Sequence, residues 1–249
     1  MFPTSSSEAS QPSGPFLTRD RTVGRVAVEV AFTDRRLDLA EPAAEQESGR
    51  LARELGDLAE LAAACEVPLQ RMHQVHGAVV ASVASVDSPQ PPPTADALVT
   101  TARGVGLLVR SADCVPVLLG DADHGVIAAV HCGRSGVLAG VVPEAVGRMR
   151  DLGAERVHAW IGPHVCGRCY EVPDQLREQV SEAVPAAWAE TSWGTASLDL
   201  GAAVQSQLRA ADVVWTALPV CTREDDRLWS YRGQGAAAGR LGSVIWMPA

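Results

Sequence analysis

The chain has 249 residues, 47% hydrophobic but only 4% aromatic, with a formal charge of −9 at pH 7 and an isoelectric point near 5.1. That length suits one large domain or two small ones. The acidic balance argues against nucleic acid or an anionic membrane as the main partner, and no run approaches the ~18 apolar residues of a membrane helix.

Every basic residue is arginine, as in chains with a strong compositional bias, so no single arginine is informative by itself. The first 21 residues, rich in Ser, Pro and Gly, have no basic stretch followed by an apolar one. They read as a disordered tail, not a signal peptide, with a single domain over residues 22–249. Six cysteines without an export signal, one of them (Cys65) inside a helical pattern, point to a reduced, cytoplasmic setting.

In chain order, "RVAVEVAF" reads as a strand. "ESGRLARELGDLAELAAACEVP" reads as an amphipathic helix with Leu51, Leu55, Leu58 and Ala62 on one face, stopped near Pro68. "HGAVVASVASV", "DALVTT", "GLLVRSADCVPVLLGD" and "GVIAAVHC" are β-rich, and "SPQPPPTAD" is a rigid loop between strands. "VVPEAVGRMRDLG" predicts a helix with Pro143 in its first turn and Gly153 as its cap. "RVHAWIG" is a strand, and "VPDQLREQVSEAVP" and "LDLGAAVQSQLRAAD" are helices, the second N-capped by Asp199. "DVVWTA" and "GSVIWM" close the chain as strands. Several strands are consecutive, which fits an α+β layered domain better than strict βαβ alternation.

Three places concentrate ligand or nucleophile side chains: "HQVHG" with His73 and His76, "SADCVP" with Asp113 and Cys114, and "AAVHCGRSG" with His131, Cys132 and Arg134. "RSADCVPVLL" reads as a strand broken by a turn at Asp113 and Cys114. "GVIAAVHC" reads as a buried strand that ends at Gly133. Cys114 and His131 thus lie at strand ends, and antiparallel pairing through "GDADHG" would bring them together. Successive strand residues face opposite ways, so if His131 faces a site, Cys132 faces the core. By the same alternation only one of His73 and His76 contributes, and His76 ends its own strand-like run.

Two imidazoles and a thiolate would suit zinc with one position open. The same residues could instead be a nucleophile with its base, or ordinary packed side chains. "GPHVCGRCYEV" also suggests zinc through Cys166 and Cys169, with His164 near. Yet no H-x-E, as in zinc deaminases, occurs in the chain, and no second ligand pair of similar spacing is present. The stretch reads as a turn with packed cysteines, followed by Glu171 as an ordinary surface residue. Arg232 and Arg240 lie in a Gly-rich loop before the last strand, where guanidinium forks could hold an oxyanion or the loop could simply be solvated.

"QVHG", "ADALVT", "ADCVPVLL", "AVHCGRSGVLAGVV", "GPHVCGRCYEV", "LDL" and "CTREDDRLWSYRGQGAAAGR" occur in this order. The chain resembles, over about residues 25–247, a bacterial and metazoan family long labelled multicopper polyphenol oxidase or laccase-domain protein. The family includes the peptidoglycan-editing factor and is now assigned purine nucleoside phosphorylase activity. The resemblance implies a single-domain α+β fold, a layered α/β/β/α sandwich with mixed sheets, and zinc held by His76, Cys114 and His131, with copper as an alternative metal. It implies phosphorolysis of adenosine, inosine and methylthioadenosine, and deamination of adenosine. For the proton transfers of deamination Asp113 is a candidate, beside Cys114 and His131, though it could equally orient them.

Phosphate would need Arg232, Arg240 or Arg134. Many relatives read H-A-G-W-R-G where this chain has "HCGRSG", so the aromatic is missing and Arg134 comes one position early. A full laccase is excluded, because the six histidines form no His-x-His pair. Two further readings stand beside the phosphorylase. One is a cysteine hydrolase of peptidoglycan precursors with Cys114 as nucleophile and His131 as base. The other is a binding protein with a vestigial metal site.

Overall fold

The computed structural model describes residues 14–41, 48–84 and 91–249. Its strands are β1 (Phe16–Val23), β2 (Ala27–Thr33), β3 (Leu69–Gln70), β4 (Val80–Ser82), β5 (Ala97–Thr100), β6 (Val105–Ser111), β7 (Val115–Asp121), β8 (Val126–Cys132), β9 (His158–Ile161), β10 (Trp188–Glu190), β11 (Ala196–Leu198), β12 (Val214–Ala217) and β13 (Leu241–Met247). The α-helices are α1 (Ser48–Cys65), α2 (Arg134–Leu138), α3 (Val141–Asp151), α4 (Asp174–Ala183), α5 (Leu200–Ala210) and α6 (Tyr231–Gln234).

Two mixed sheets organise the chain. One has five strands in the order β1-β2-β13-β6-β3, the other six in the order β12-β9-β7-β8-β5-β4. Parallel pairs occur only at edges, β3 with β6, β4 with β5 and β12 with β9, while the central pairs are antiparallel. β10 and β11 form a separate two-stranded ribbon.

Side-chain alternation turns the sheets into layers. In β13, Ile245 and Met247 point into the space between the sheets, while Val244 and Trp246 point outward. Leu61 and Cys65 of α1 cover that outer face with Leu108 and Ala31. In the second sheet, Leu98, Leu118, Ile127 and Ala129 fill the central layer. Their sequence neighbours Val99, Val117, Ala128 and Val130 pack under Val146 and Met149 of α3 and Val204 and Leu208 of α5. The result is the expected α/β/β/α sandwich. Because both faces of the central strands are buried, these strands read as nearly unbroken apolar runs.

Local signals decide several helix ends. Asp199 caps α5, its carboxylate accepting from the Ala202 N–H at 2.7 Å. Gly153, at φ 96°, follows α3 and donates to the Arg150 carbonyl, a backbone turn that suits glycine.

The structure departs from the sequence expectations in three places. Residues 16–21, expected within the tail, are β1: Phe16 is buried in the outer core and the strand completes the edge of the sheet against β2. Residues 1–13 of the expected tail lie outside the described residues. The buried stripe of α1 is Glu54, Leu58, Leu61 and Cys65, one position round from the expected face, while Leu55 is exposed. The Leu51 side chain lies outside the description. Glu54 is tolerated in that stripe because Arg71 and Arg110 approach it at 2.8 and 3.5 Å. Among its described residues, "HGAVVASVASV" forms only the short edge strand β4, and His76 sits in a loop before it. The proline loop 88–96 lies partly outside the described residues, and its end is pinned where Thr94 bridges His73.

Candidate active site

β6 belongs to the five-stranded sheet and β7 to the six-stranded one, so Ala112, Asp113 and Cys114 carry the chain across the seam between the sheets. β7 then pairs antiparallel with β8 in a register that sets Val115 opposite Cys132 and Pro116 opposite His131. Cys114 therefore arrives beside the end of β8, as the strand-end argument required. His131 has the parity of Ile127 and Ala129 in the central layer, whereas Cys132 packs with Ala128 and Val130 beneath the helices. Alternation separated the two neighbours correctly.

His76, Cys114 and His131 converge, with one ligand atom of each lying within 4.8 Å of the others. The His76 and His131 rings meet edge to face at 4.8 Å between centroids, and His76 Nε2 stands 3.8 Å from Cys114 Sγ. His73 points elsewhere, 3.8 Å from Glu41, because the segment is a loop and strand alternation does not apply.

The organiser of this cluster is Asp96, a residue not anticipated as part of the site. It is fully buried just before β5 and accepts from His131 Nδ1–H at 2.9 Å. It also accepts the backbone N–H groups of Val75, His76 and Gly77 at 3.2, 2.9 and 2.7 Å. Those bonds wrap the loop around the carboxylate and hold His76 at φ 59°. This left-handed conformation costs a non-glycine residue about 1–3 kcal/mol and is typical of functional loops. With Nδ1 bound to Asp96, the free Nε2 of His131 faces the cluster, the usual way a carboxylate sets a ligand histidine. The available signal was the aspartate of "ADALVT", a lone carboxylate just ahead of a buried strand.

Gly133 makes the close approach possible. A Cβ there would lie 2.4 Å from the His76 ring and 3.2 Å from Cys114 Sγ.

Electrostatics follow from this packing. Burial pushes the Cys114 thiol up, but hydrogen bonds and charge from His131 and His76 outweigh it and bring the thiol down to about 6. Burial pulls His131 down, but Asp96 and Cys114 outweigh it and raise it to about 9. Burial likewise disfavours the Asp96 carboxylate, yet His131 and the loop N–H groups hold it below its usual range. Without a metal, the cluster is a thiolate beside an imidazolium anchored on a carboxylate.

The cluster forms one wall of a cavity of about 600 Å³. Arg110, Arg232 and Arg240 line the same cavity, as do Gln74, Ser111 and both tyrosines of the chain, Tyr170 and Tyr231. Arg110 is buried and committed to Glu41 and Glu54. Arg232 is exposed, lies 4.6 Å over the Tyr170 ring, and donates to the Glu171 carbonyl at 2.8 Å. Arg240 donates to the carbonyls of Ala238 and Gly239. Ser111 Oγ is buried with no partner among the described residues.

Two expectations shift. Arg134, the first residue of α2, does not line the cavity with Arg232 and Arg240. The shifted arginine of "HCGRSG" starts a helix at that point. Asp113 lines the cavity, but its carboxylate is occupied: it accepts from Thr222 Oγ1 at 2.6 Å, Ser230 Oγ at 2.7 Å and the Arg232 N–H at 2.6 Å. With φ 85°, it ties the seam turn to the loop carrying Arg232, which is a positioning geometry and not that of a free proton carrier. Glu171 is exposed and accepts from Trp193.

A layered α/β/β/α sandwich, with a His–Cys–His cluster at the seam of its sheets and an arginine-lined cavity, defines a protein able to hold a metal ion beside a small-molecule pocket. The chain belongs to the family described as multi-copper polyphenol oxidoreductase laccase, whose model matches residues 44–248. It is 51% identical over 179 residues to a purine nucleoside phosphorylase of Streptomyces coelicolor, covering 71% of this chain and 74% of that one. It is 48% identical over 183 residues to a purine nucleoside phosphorylase of Streptomyces griseus, covering 71% and 73%. In structure it is similar to a Neisseria meningitidis protein of the DUF152 family, with a TM-score of 0.79 at 25% identity over 94% of this chain and all of that one.

Proposed function

We propose that this chain is a zinc-dependent purine nucleoside phosphorylase, acting in the cytoplasm on adenosine, inosine and methylthioadenosine, with adenosine deamination as a second activity. The observation that carries the reading is the meeting, in one cavity, of the His76–Cys114–His131 cluster with the guanidinium groups of Arg232 and Arg240. Relatives named for that activity support it.

The donor set fits zinc: two imidazoles and a thiol already drawn toward thiolate, with His131 fixed through its second nitrogen by Asp96. A zinc ion held there supplies Lewis acidity to an oxygen of substrate or solvent. The laccase description does not transfer. Of the six histidines, only His76 and His131 enter a metal-capable group among the described residues, too few for a multicopper centre.

The remaining chemistry belongs to the side chains. Phosphorolysis forms a bond from phosphate oxygen to C1′ of the ribose and breaks the bond from C1′ to the purine nitrogen. Arg232 and Arg240 hold and orient the phosphate through their guanidinium forks. Tyr231, exposed on the cavity wall, offers an aromatic face for the purine. Asp113 keeps the Arg232 backbone and the Cys114 turn in register.

The test is to incubate zinc-loaded protein with inosine and phosphate and follow hypoxanthine, and with adenosine to follow ammonia. Arg232→Ala should raise the KM for phosphate about 10–100-fold, the worth of a charged hydrogen bond of ~1.5–3 kcal/mol, while Arg134→Ala leaves it unchanged. No base released by the zinc-loaded protein would refute the reading.

A second reading rests on the low thiol value of Cys114. In it, Cys114 is the nucleophile and His131 the base of a hydrolase acting on peptidoglycan precursors. Loss of one zinc ion per chain in Cys114→Ser would exclude it, since a coordinated thiolate is not free to attack.

A further inference from the structure

The second ligand pair that Cys166 and Cys169 lack in sequence is supplied by the fold. Cys221 and Glu224, more than fifty residues downstream, are brought to them, and one ligand atom of each of the four lies within 4.8 Å of the others. We propose that Cys166, Cys169, Cys221 and Glu224 form a second metal site, a structural zinc centre distinct from the His76–Cys114–His131 cluster.

Two matching turns build it. In one, the N–H groups of Cys169 and Tyr170 donate to the Cys166 carbonyl at 2.9 and 3.1 Å; in the other, those of Glu224 and Asp225 donate to the Cys221 carbonyl at 3.2 and 3.1 Å. Each turn projects its first and fourth residues, giving C-x-x-C facing C-x-x-E. A bridge between His164 and Cys221, with the Thr222 N–H on the His164 carbonyl at 3.0 Å, locks the turns together.

The surroundings suit a thiolate-bound cation. The Cys166 N–H points at Cys221 Sγ at 3.4 Å, the kind of backbone donor that stabilises a metal-bound sulfur. Cys169 Sγ lies 3.4 Å from Glu224 Oε1, so the carboxylate already meets the thiols. Cys169 and Cys221 are buried, while Cys166 and Glu224 reach toward solvent, leaving an entry path. Three thiolates and a carboxylate around a divalent ion leave excess negative charge. Arg168, 3.6 Å from Glu224, stands at the rim to balance it. A four-donor set with three soft thiolates of this kind selects zinc in a structural role.

The centre would brace the active cavity. Cys169 precedes Tyr170, which lines the cavity and carries Arg232 over its ring. Cys221 precedes Thr222, whose hydroxyl holds Asp113. Zinc here fixes both segments against the turn that presents Cys114.

The full chain is produced in zinc-supplemented medium, exchanged into zinc-free buffer and analysed for metal. Wild type should hold about two zinc ions per chain, and the Cys166→Ser/Cys169→Ser and His76→Ala/Cys114→Ser variants about one each. In the second variant, X-ray absorption should show mainly sulfur neighbours near ~2.3 Å, where nitrogen would give ~2.0–2.1 Å. Should either variant fail to fold, the wild-type spectrum decides. More than about one sulfur per zinc supports the centre, because the other cluster offers only Cys114. A His76→Ala/Cys114→Ser protein that folds without zinc, a wild-type average of one sulfur or fewer, wild type without zinc, or an intact mass revealing a disulfide among these cysteines each overturns it.

Discussion

Asp96→Asn removes one negative charge and one acceptor oxygen while leaving the side chain the same size. In the native protein Oδ1 accepts from the His76 N–H and His131 Nδ1–H, both at 2.9 Å, and Oδ2 from the Val75 and Gly77 N–H groups at 3.2 and 2.7 Å. An asparagine can offer only one acceptor oxygen, so whichever way the amide turns, its NH₂ faces two donors. Two donors, the loop N–H groups among them only partly buried, are then unsatisfied, at ~1–3 kcal/mol each, or about 2–6 kcal/mol in all. The central value of about 4 kcal/mol corresponds to a fall in Tm of roughly 8–16 °C for a chain of this size. Because His131 also loses its anchoring carboxylate, zinc affinity should fall about 10–100-fold.

Thermal denaturation of metal-free protein and competition with a chromophoric chelator measure the two effects separately. The native Asp96 carboxylate is held below its usual range, so its stabilisation is present above the ordinary carboxylate pKa and lost as pH falls toward the folded value. The variant should lack that acid limb. An Asp96→Asn protein that melts and binds zinc as wild type does would refute the claim that Asp96 organises the cluster.

Gly133→Ala should cost about 1–3 kcal/mol and impair zinc binding while leaving far-ultraviolet circular dichroism intact, because its Cβ would lie 2.4 Å from the His76 ring; chelator competition reads the loss. In chelated protein, Cys114, lowered to about 6, contributes stability that is present above its unfolded pKa and lost as pH falls through about 6. His131, raised to about 9, contributes stability complete below its unfolded pKa and lost as pH rises through about 9. Urea midpoints across pH should therefore peak between those values, and Cys114→Ser should flatten the peak; thiolate absorbance near ~240 nm tracks the cysteine directly. Leu61→Ala, on the buried stripe of α1, should destabilise by ~2–5 kcal/mol, whereas Leu55→Ala should stay within ~0.5 kcal/mol, by chemical denaturation.

What the sequence determined lies where physical signals are local. Apolar runs marked β6, β7, β8 and β13, a break at Asp113–Cys114 marked the turn between strands, and side-chain parity separated His131 from Cys132. Asp199 and Gly153 announced helix ends because caps act within a turn of their own residue. The resemblance carried the layered fold and the grouping of His76 with Cys114 and His131.

Only the tertiary structure decided the rest, because it depends on contacts between residues far apart in the chain. β6 and β7 read as one interrupted strand, yet they belong to different sheets, and that crossing is what opens the cavity at Cys114. The face of α1 was misjudged by one position because Glu54 is buried by two arginines that no helical period reveals. Asp96 reads as one more aspartate until three backbone N–H groups and a histidine close around it. Cys166 and Cys169 looked unpartnered because Cys221 and Glu224 reach them only when the chain returns past His164. Sequence periodicity reports which face a side chain takes; only the folded chain reports what meets it there.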